Sequence, residues 1–98
     1  MDKNFKEAYK TFLEKWGVEM QSVMAIEEMS ELTKALCKLK RCKELGGNNV
    51  EALQNLKEEI ADVLNTTEQL AYVYGEEEIQ KIREEKIKRT LNKIKEEK

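Results

Sequence analysis

Apolar residues recur along this chain at three- and four-residue spacing, and glycines punctuate the pattern. That period is the signature of helices with one apolar face. A first segment, from about Asp2 to Trp16, carries Phe5, Ala8, Tyr9, Phe12, Leu13 and Trp16 on one side, and Gly17 is its expected stop. A second, from about Glu19 to Leu45, repeats Ala25, Met29, Leu32, Leu36 and Leu39 in a heptad-like seam. Gly46-Gly47-Asn48-Asn49 then breaks the helix.

The third segment runs from about Val50 to Tyr74, with Leu53, Leu56, Ile60, Val63, Thr67, Leu70 and Tyr74 as its stripe. Asn48 followed by Glu51 reads as an N-cap with a reciprocal partner. Gly75 ends this helix. A fourth runs from about Glu76 to the C-terminus, with Ile79, Ile82, Ile87, Leu91 and Ile94 as a weaker stripe and three glutamates in its first turn.

The expected fold is therefore all-α, a four-helix protomer. Its second and third helices, each roughly 38 Å long at ~1.5 Å per residue, form an antiparallel hairpin. No linker or internal repeat divides residues 1–98, so a single domain is expected. Long seamed helices in so short a chain bury little surface alone. A homodimer, or a dimer of dimers, around a four-helix bundle core is the expectation.

Composition narrows the chemistry. Proline is absent, which suits long helices. Charged residues make up 39% of the chain, but the net charge of -2 argues against a basic nucleic-acid surface, and the periodic apolar content argues against disorder. The lack of histidine removes His-based nucleophilic triads, His-ligated zinc and the usual di-iron carboxylate bundle. Cys37 and Cys42 point about 140° apart on a helix, so they read as reduced thiols. No stretch is long and apolar enough to cross a membrane, and MDKNFKEAYK lacks a signal-peptide core, so no membrane partner and a cytoplasmic location are expected.

The carboxylates are clustered. Glu27, Glu28 and Glu31 form E-E-x-x-E in the second segment; Glu59 and Asp62 form E-x-x-D in the third. On a helical wheel Glu28 falls inside the apolar stripe, Glu31 on its edge and Glu27 further out. Glu59 flanks the other stripe, with Asp62 beyond it. Such glutamates are ordinary on solvated helices. One inside an apolar stripe, facing a second acidic pair across a hairpin, is not: ionised carboxylates gathered there need a proton or a cation. A hard divalent ion with oxygen ligands suits them best, magnesium or in its place manganese.

The two-part motif resembles the signature of the MazG-like all-α NTP pyrophosphohydrolases. The flanking text WGVEMQSVMAIEEMSELTKALCKL and NLKEEIADVLNTTEQL is similar too, and the resemblance covers roughly residues 12–90. The gap between the halves is toward the long end of the family's range and is filled by continued helix and the Gly-Gly-Asn-Asn turn. The resemblance implies hydrolysis between the α- and β-phosphates of a (deoxy)nucleoside triphosphate, giving the monophosphate and pyrophosphate, in housecleaning or in regulation of the nucleotide pool. It implies Glu28, Glu31, Glu59 and Asp62 as magnesium ligands. Glu27 and Glu28 are the candidates for catalysis, with Glu27 as general base, ligand support or merely an exposed side chain.

Further candidates carry blander alternatives. Trp16, Phe12 and Tyr9 can stack on a base or belong to the core. Gln21, near the Glu28 face, can read a base edge. Asn65, one turn past Asp62, can contact sugar or phosphate or simply face solvent. Lys86, Lys88 and Arg89 can meet phosphates or form a solvated, internally paired face. The alternative for the whole chain is a non-catalytic helical interaction module that needs no metal.

Overall fold

The computed structural model describes residues 5–97, and among these the regular structure is entirely helical. Three helices follow one another: α1, Phe5–Glu44; α2, Val50–Tyr74; and α3, Glu76–Glu96. The expected first and second helices are thus one element, kinked at Gly17, and the described chain has three helices rather than four. Gly17 adopts φ 84°, ψ 161°, a region essentially reserved for glycine. It redirects the chain without a loop, so helix resumes at once. The residues before it form an N-terminal arm, and those after it the long half of the hairpin.

The other boundaries follow local backbone chemistry. Gly46, at φ 72°, donates its N–H to the Lys43 carbonyl, and Gly47 donates to the Cys42 carbonyl. That pair of bonds is a Schellman cap, which satisfies the last carbonyls of α1. The cap on α2 differs from expectation. Asn49, not Asn48, occupies the N-cap position and makes no side-chain capping bond. Asn48 Oδ1 instead accepts the N–H of Val50 at 3.0 Å, an Asx turn that ends the loop and leaves Glu51 without a reciprocal role. Gly75, at φ 113°, is the whole joint between α2 and α3: its N–H closes α2 on Ala71 and its carbonyl opens α3 at Ile79.

α1 and α2 pack as the expected antiparallel hairpin, while α3 packs on the end of α2 and its first turns face the start of α1. The arm lies against the C-terminal half of α2, where the buried Tyr9 hydroxyl donates to Glu68 Oε1 at 2.7 Å. Lys6 pairs with Glu76 at the start of α3. Cys37 and Cys42 are free. No described helix is long and apolar enough to cross a membrane.

The hairpin uses only part of its apolar surface. Ala25, Ala35 and Ala52 are buried between its helices, with Leu32, Leu39, Leu56 and Leu70 half-buried. Met29 and Leu36, the alternate members of the heptad seam, stay exposed, as do Val18 on α1 and Leu53, Ile60 and Leu64 on α2. At about 100° per residue each set lies some 55–110° round from the direction of the opposing helix. Because the helices are antiparallel, both sets turn to the same side. Glu28, Glu31, Glu59 and Asp62 turn to the other. The hairpin therefore has an apolar face and an acidic face.

The protomer is extended as well. Its radius of gyration is 17.0 Å, against about 13 Å for a compact chain of this length. It exposes 8058 Å², roughly 2,200 Å² more than a folded monomer of this mass.

Candidate metal centre

The acidic face gathers most of the expected ligand set. One carboxylate oxygen each from Glu28, Glu59 and Asp62 lies within 4.8 Å of the others. Glu28 comes from α1; Glu59 and Asp62 stand one turn apart on α2, so the i, i+3 spacing aims both at the same neighbour. Glu28 and Glu59 are half-buried and Asp62 is exposed.

Crowding shows in the ionisation of the group. Burial pushes the Glu28 carboxyl above the usual carboxylate range, helped by a hydrogen bond with Asp62 and by the charges of Asp62, Glu59 and Glu31. Burial also raises Glu59, with Asp62, Glu31 and Glu58 adding to it. Each negative charge makes the next harder to hold. Among the described residues, no lysine or arginine is ion-paired with Glu28, Glu59 or Asp62. All donors at the centre are carboxylate oxygens on two rigid helices, with one side open to solvent. That donor set suits a hard divalent cation which keeps part of its shell for water or phosphate.

Glu31 stands at the margin. It is close enough to raise its two neighbours, but it is exposed, lies outside the 4.8 Å cluster and approaches Lys34 Nζ at 3.8 Å. Glu27 is exposed and outside the cluster. Asn65 is exposed one turn beyond Asp62. Trp16 is half exposed and packs on Phe12, the two rings tilted by 36° with centroids 5.9 Å apart. Tyr9 is only 6% exposed and committed to Glu68, so it belongs to the core and not to a base pocket. Burial and that bond push its phenol pKa well up, which keeps the hydroxyl a donor.

Gln21 is buried on the α1 side of the hairpin. Lys86, Lys88 and Arg89 are exposed on α3, which leaves the hairpin after its first turns; within one protomer they are not brought to the carboxylates. A cleft of about 770 Å³ opens where the arm, α2 and α3 meet, lined by Lys6, Tyr9, Glu68 and Arg83 among others. It contains none of the carboxylates of the centre.

Gln69 was not singled out by sequence reasoning. It is 4% exposed, and its Oε1 has no hydrogen-bond partner. The available signal was its position: seven residues after Asp62, it falls within about 20° of it on the wheel.

Compared with known protein families, with functionally described proteins and with solved structures, the chain gives no match.

Proposed function

We propose that this chain is a magnesium-dependent nucleoside triphosphate pyrophosphohydrolase, cutting between the α- and β-phosphates to give a monophosphate and pyrophosphate. The observation that carries the reading is the meeting of Glu28, Glu59 and Asp62 from two helices, in the two-part pattern that resembles the MazG-like signature. Glu28, Glu59 and Asp62 hold the ion, and Glu31 swings in from the margin as a fourth ligand. Manganese fits the same oxygen set.

When bound, the divalent ion neutralises the triphosphate and the charge that builds on the transferring phosphoryl group. The protein's own part is positional. The hairpin fixes the carboxylates before substrate arrives, so little reorganisation is needed. Glu27, exposed beside the centre, or a Glu28 oxygen left free by the ion, orients and deprotonates the attacking water. In this reading Asn65, exposed one turn beyond Asp62, contacts sugar or phosphate.

The same reading includes a homodimer, or a dimer of dimers, joined through the apolar face. Surface in excess by roughly 2,200 Å² per protomer matches what an obligate helical interface removes. Pairing two hairpins there completes a four-helix core and leaves each acidic face outward. That face also supports a second reading, a helical interaction module with no catalysis, in which the carboxylates are only a solvated surface.

A panel of NTPs and dNTPs, scored for pyrophosphate release with magnesium and with EDTA, separates the two. Turnover that needs the ion and disappears in Glu28→Gln and Asp62→Asn supports the enzyme. A folded dimer inert toward every nucleotide and indifferent to magnesium leaves the interaction module.

A further inference from the structure

The near balance of charge over the whole chain hides a local separation. From residue 34 to residue 50 stand Lys34, Lys38, Lys40, Arg41 and Lys43, against one carboxylate, Glu44. All five cations are exposed. On α3 the signs are mixed instead: Lys88, Arg89 and Lys93 share one surface with Glu85 and Glu96. That is an internally balanced, solvated face. The end of α1 has no such balance. The helix dipole accounts for Arg41 and Lys43 in the last turn, but Lys34 and Lys38 lie further back.

Three of these cations are in line with the acidic centre. Glu27, Glu31, Lys34, Lys38 and Arg41 follow one another at alternating four- and three-residue spacing, within an arc of about 80° on α1. Lys34 Nζ lies 3.8 Å from Glu31 Oε1, and the charge of Glu31 is felt by Glu28 and Glu59. The cationic stripe therefore starts at the edge of the carboxylates. It runs toward the hairpin tip, with Arg41 about 20 Å along the axis from Glu28 at ~1.5 Å per residue. Helical side chains lean toward the N-terminus, so all three cations tilt back toward the centre.

The facing carboxylates of α2 leave the stripe unpaired. Glu58 accepts from Gln54 Nε2 at 3.4 Å, and Glu51 stands in the first turn, where the dipole favours it. Among the described residues, neither forms an ion pair with Lys34, Lys38 or Arg41. A dimer joined through the apolar face keeps the stripe open.

A triphosphate is short against this length. Held at the carboxylates, it can meet Lys34, but Lys38 and Arg41 stand one and two turns further on. A single row of cations along one helix follows one phosphate backbone. We propose that the substrate is a single-stranded oligonucleotide with a 5′-triphosphate, its end at the carboxylates and its following phosphates on Lys38 and Arg41. This rests on the pyrophosphohydrolase reading above and names the substrate class of that site. The α–β anhydride breaks as in a free nucleotide. One water adds its oxygen to a phosphoryl group, its proton passes through a carboxylate to solvent, and the products are the 5′-monophosphorylated strand and pyrophosphate.

The test compares kcat/KM, with magnesium, for a short 5′-triphosphorylated oligonucleotide and for the free NTP of the same first nucleotide. Both are measured in the full chain and in its Lys38→Gln/Arg41→Gln double variant. The parent should prefer the oligonucleotide by about tenfold or more, and the variant should lose that preference while its kcat/KM for the free NTP stays within about twofold. In the parent, log kcat/KM should fall more steeply with log salt for the oligonucleotide, by roughly 1.4 for two further phosphate contacts. Equal use of the two substrates, or equal salt slopes, overturns the track and leaves the pyrophosphohydrolase reading standing. So does a variant that melts with the parent and loses both substrates alike, since the cations would then serve the triphosphate itself. Should the variant fold poorly, the parent's preference and slopes decide alone. A parent that releases pyrophosphate from neither substrate overturns both readings.

Discussion

The two faces of the hairpin are both incomplete, in opposite chemical senses. The acidic face gathers carboxylates whose mutual repulsion and partial burial raise Glu28 and Glu59. The apolar face leaves Met29, Leu36, Ile60 and Leu64 in water. A carboxylate cluster is relieved by a cation, and an apolar sheet of side chains by another like it. The comparison teaches that the missing component can be read from the sign of the deficit. It also separates association from catalysis, because the two faces can be damaged independently.

The largest expected effect comes from charging the apolar face. In the proposed dimer, Leu36→Glu or Ile60→Glu would place a carboxylate where two hairpins meet, and burying an unpaired charge costs several kcal/mol. Both variants should sediment as monomers and melt well below the parent, with a parent melting temperature that rises with protein concentration. A parent that sediments as a monomer at all concentrations breaks the comparison, because the exposed face would then need no partner.

Next is the acidic face. On the proposed function, Glu28→Gln and Asp62→Asn keep side-chain size and remove the charge of a proposed ligand, so turnover should fall at least about a hundredfold. Dimer mass should not change, and ligand-free stability should hold or rise as repulsion is relieved. Asn65→Ala, outside the cluster, should cost far less. Equal activity in all three would show that the carboxylates only face solvent.

A smaller effect belongs to the arm. Tyr9→Phe removes the hydroxyl that anchors residues 5–16 to Glu68. A hydrogen bond to a charged acceptor is worth about 1.5–3 kcal/mol, and the half-buried Glu68 recovers part of that from water. A loss of about 1 kcal/mol, or some 4–8 °C in melting temperature for a domain of this size, is expected by calorimetry. No shift would mean that apolar contacts alone hold the arm.

How much of this was legible in the sequence depends on what each element owed to local chemistry. α2 lies between the Gly46-Gly47 break and Gly75, and α3 begins at Gly75, so these bounds were readable. Gly17 was visible as a break, but a glycine also permits a bend with helix resuming at once, and only the φ/ψ pair decides between these. The α2 cap slipped by one residue because neighbouring asparagines compete for the same turn. Glu28 was readable because charge inside an apolar stripe is conspicuous on a wheel, and Glu59 and Asp62, on the flank of the other stripe and beyond it, from their i, i+3 spacing on the facing helix. Glu31 was harder, since a stripe edge can turn either way. Gln69 escaped because an uncharged amide breaks no pattern; only its burial and its bare carbonyl set it apart.

The smallest expected effect is also the one that ties the acidic face to its cation. Glu28 and Glu59 titrate above the ordinary carboxylate value of 4.5 in the folded protein. Between that value and their raised ones, the native state holds more protons than the unfolded chain. Stability contributed by these two groups is therefore present below the unfolded pKa and lost as pH rises through the folded one. In EDTA the melting temperature of the parent should fall relative to Glu28→Gln across the window opening at pH 4.5. Saturating magnesium should cancel or reverse the fall, because the ion binds the ionised carboxylates and stabilises the state that holds it. A parent and variant that track each other through this window, with and without the ion, would mean the carboxylates do not feel one another. The acidic face would then have no deficit for a cation to fill.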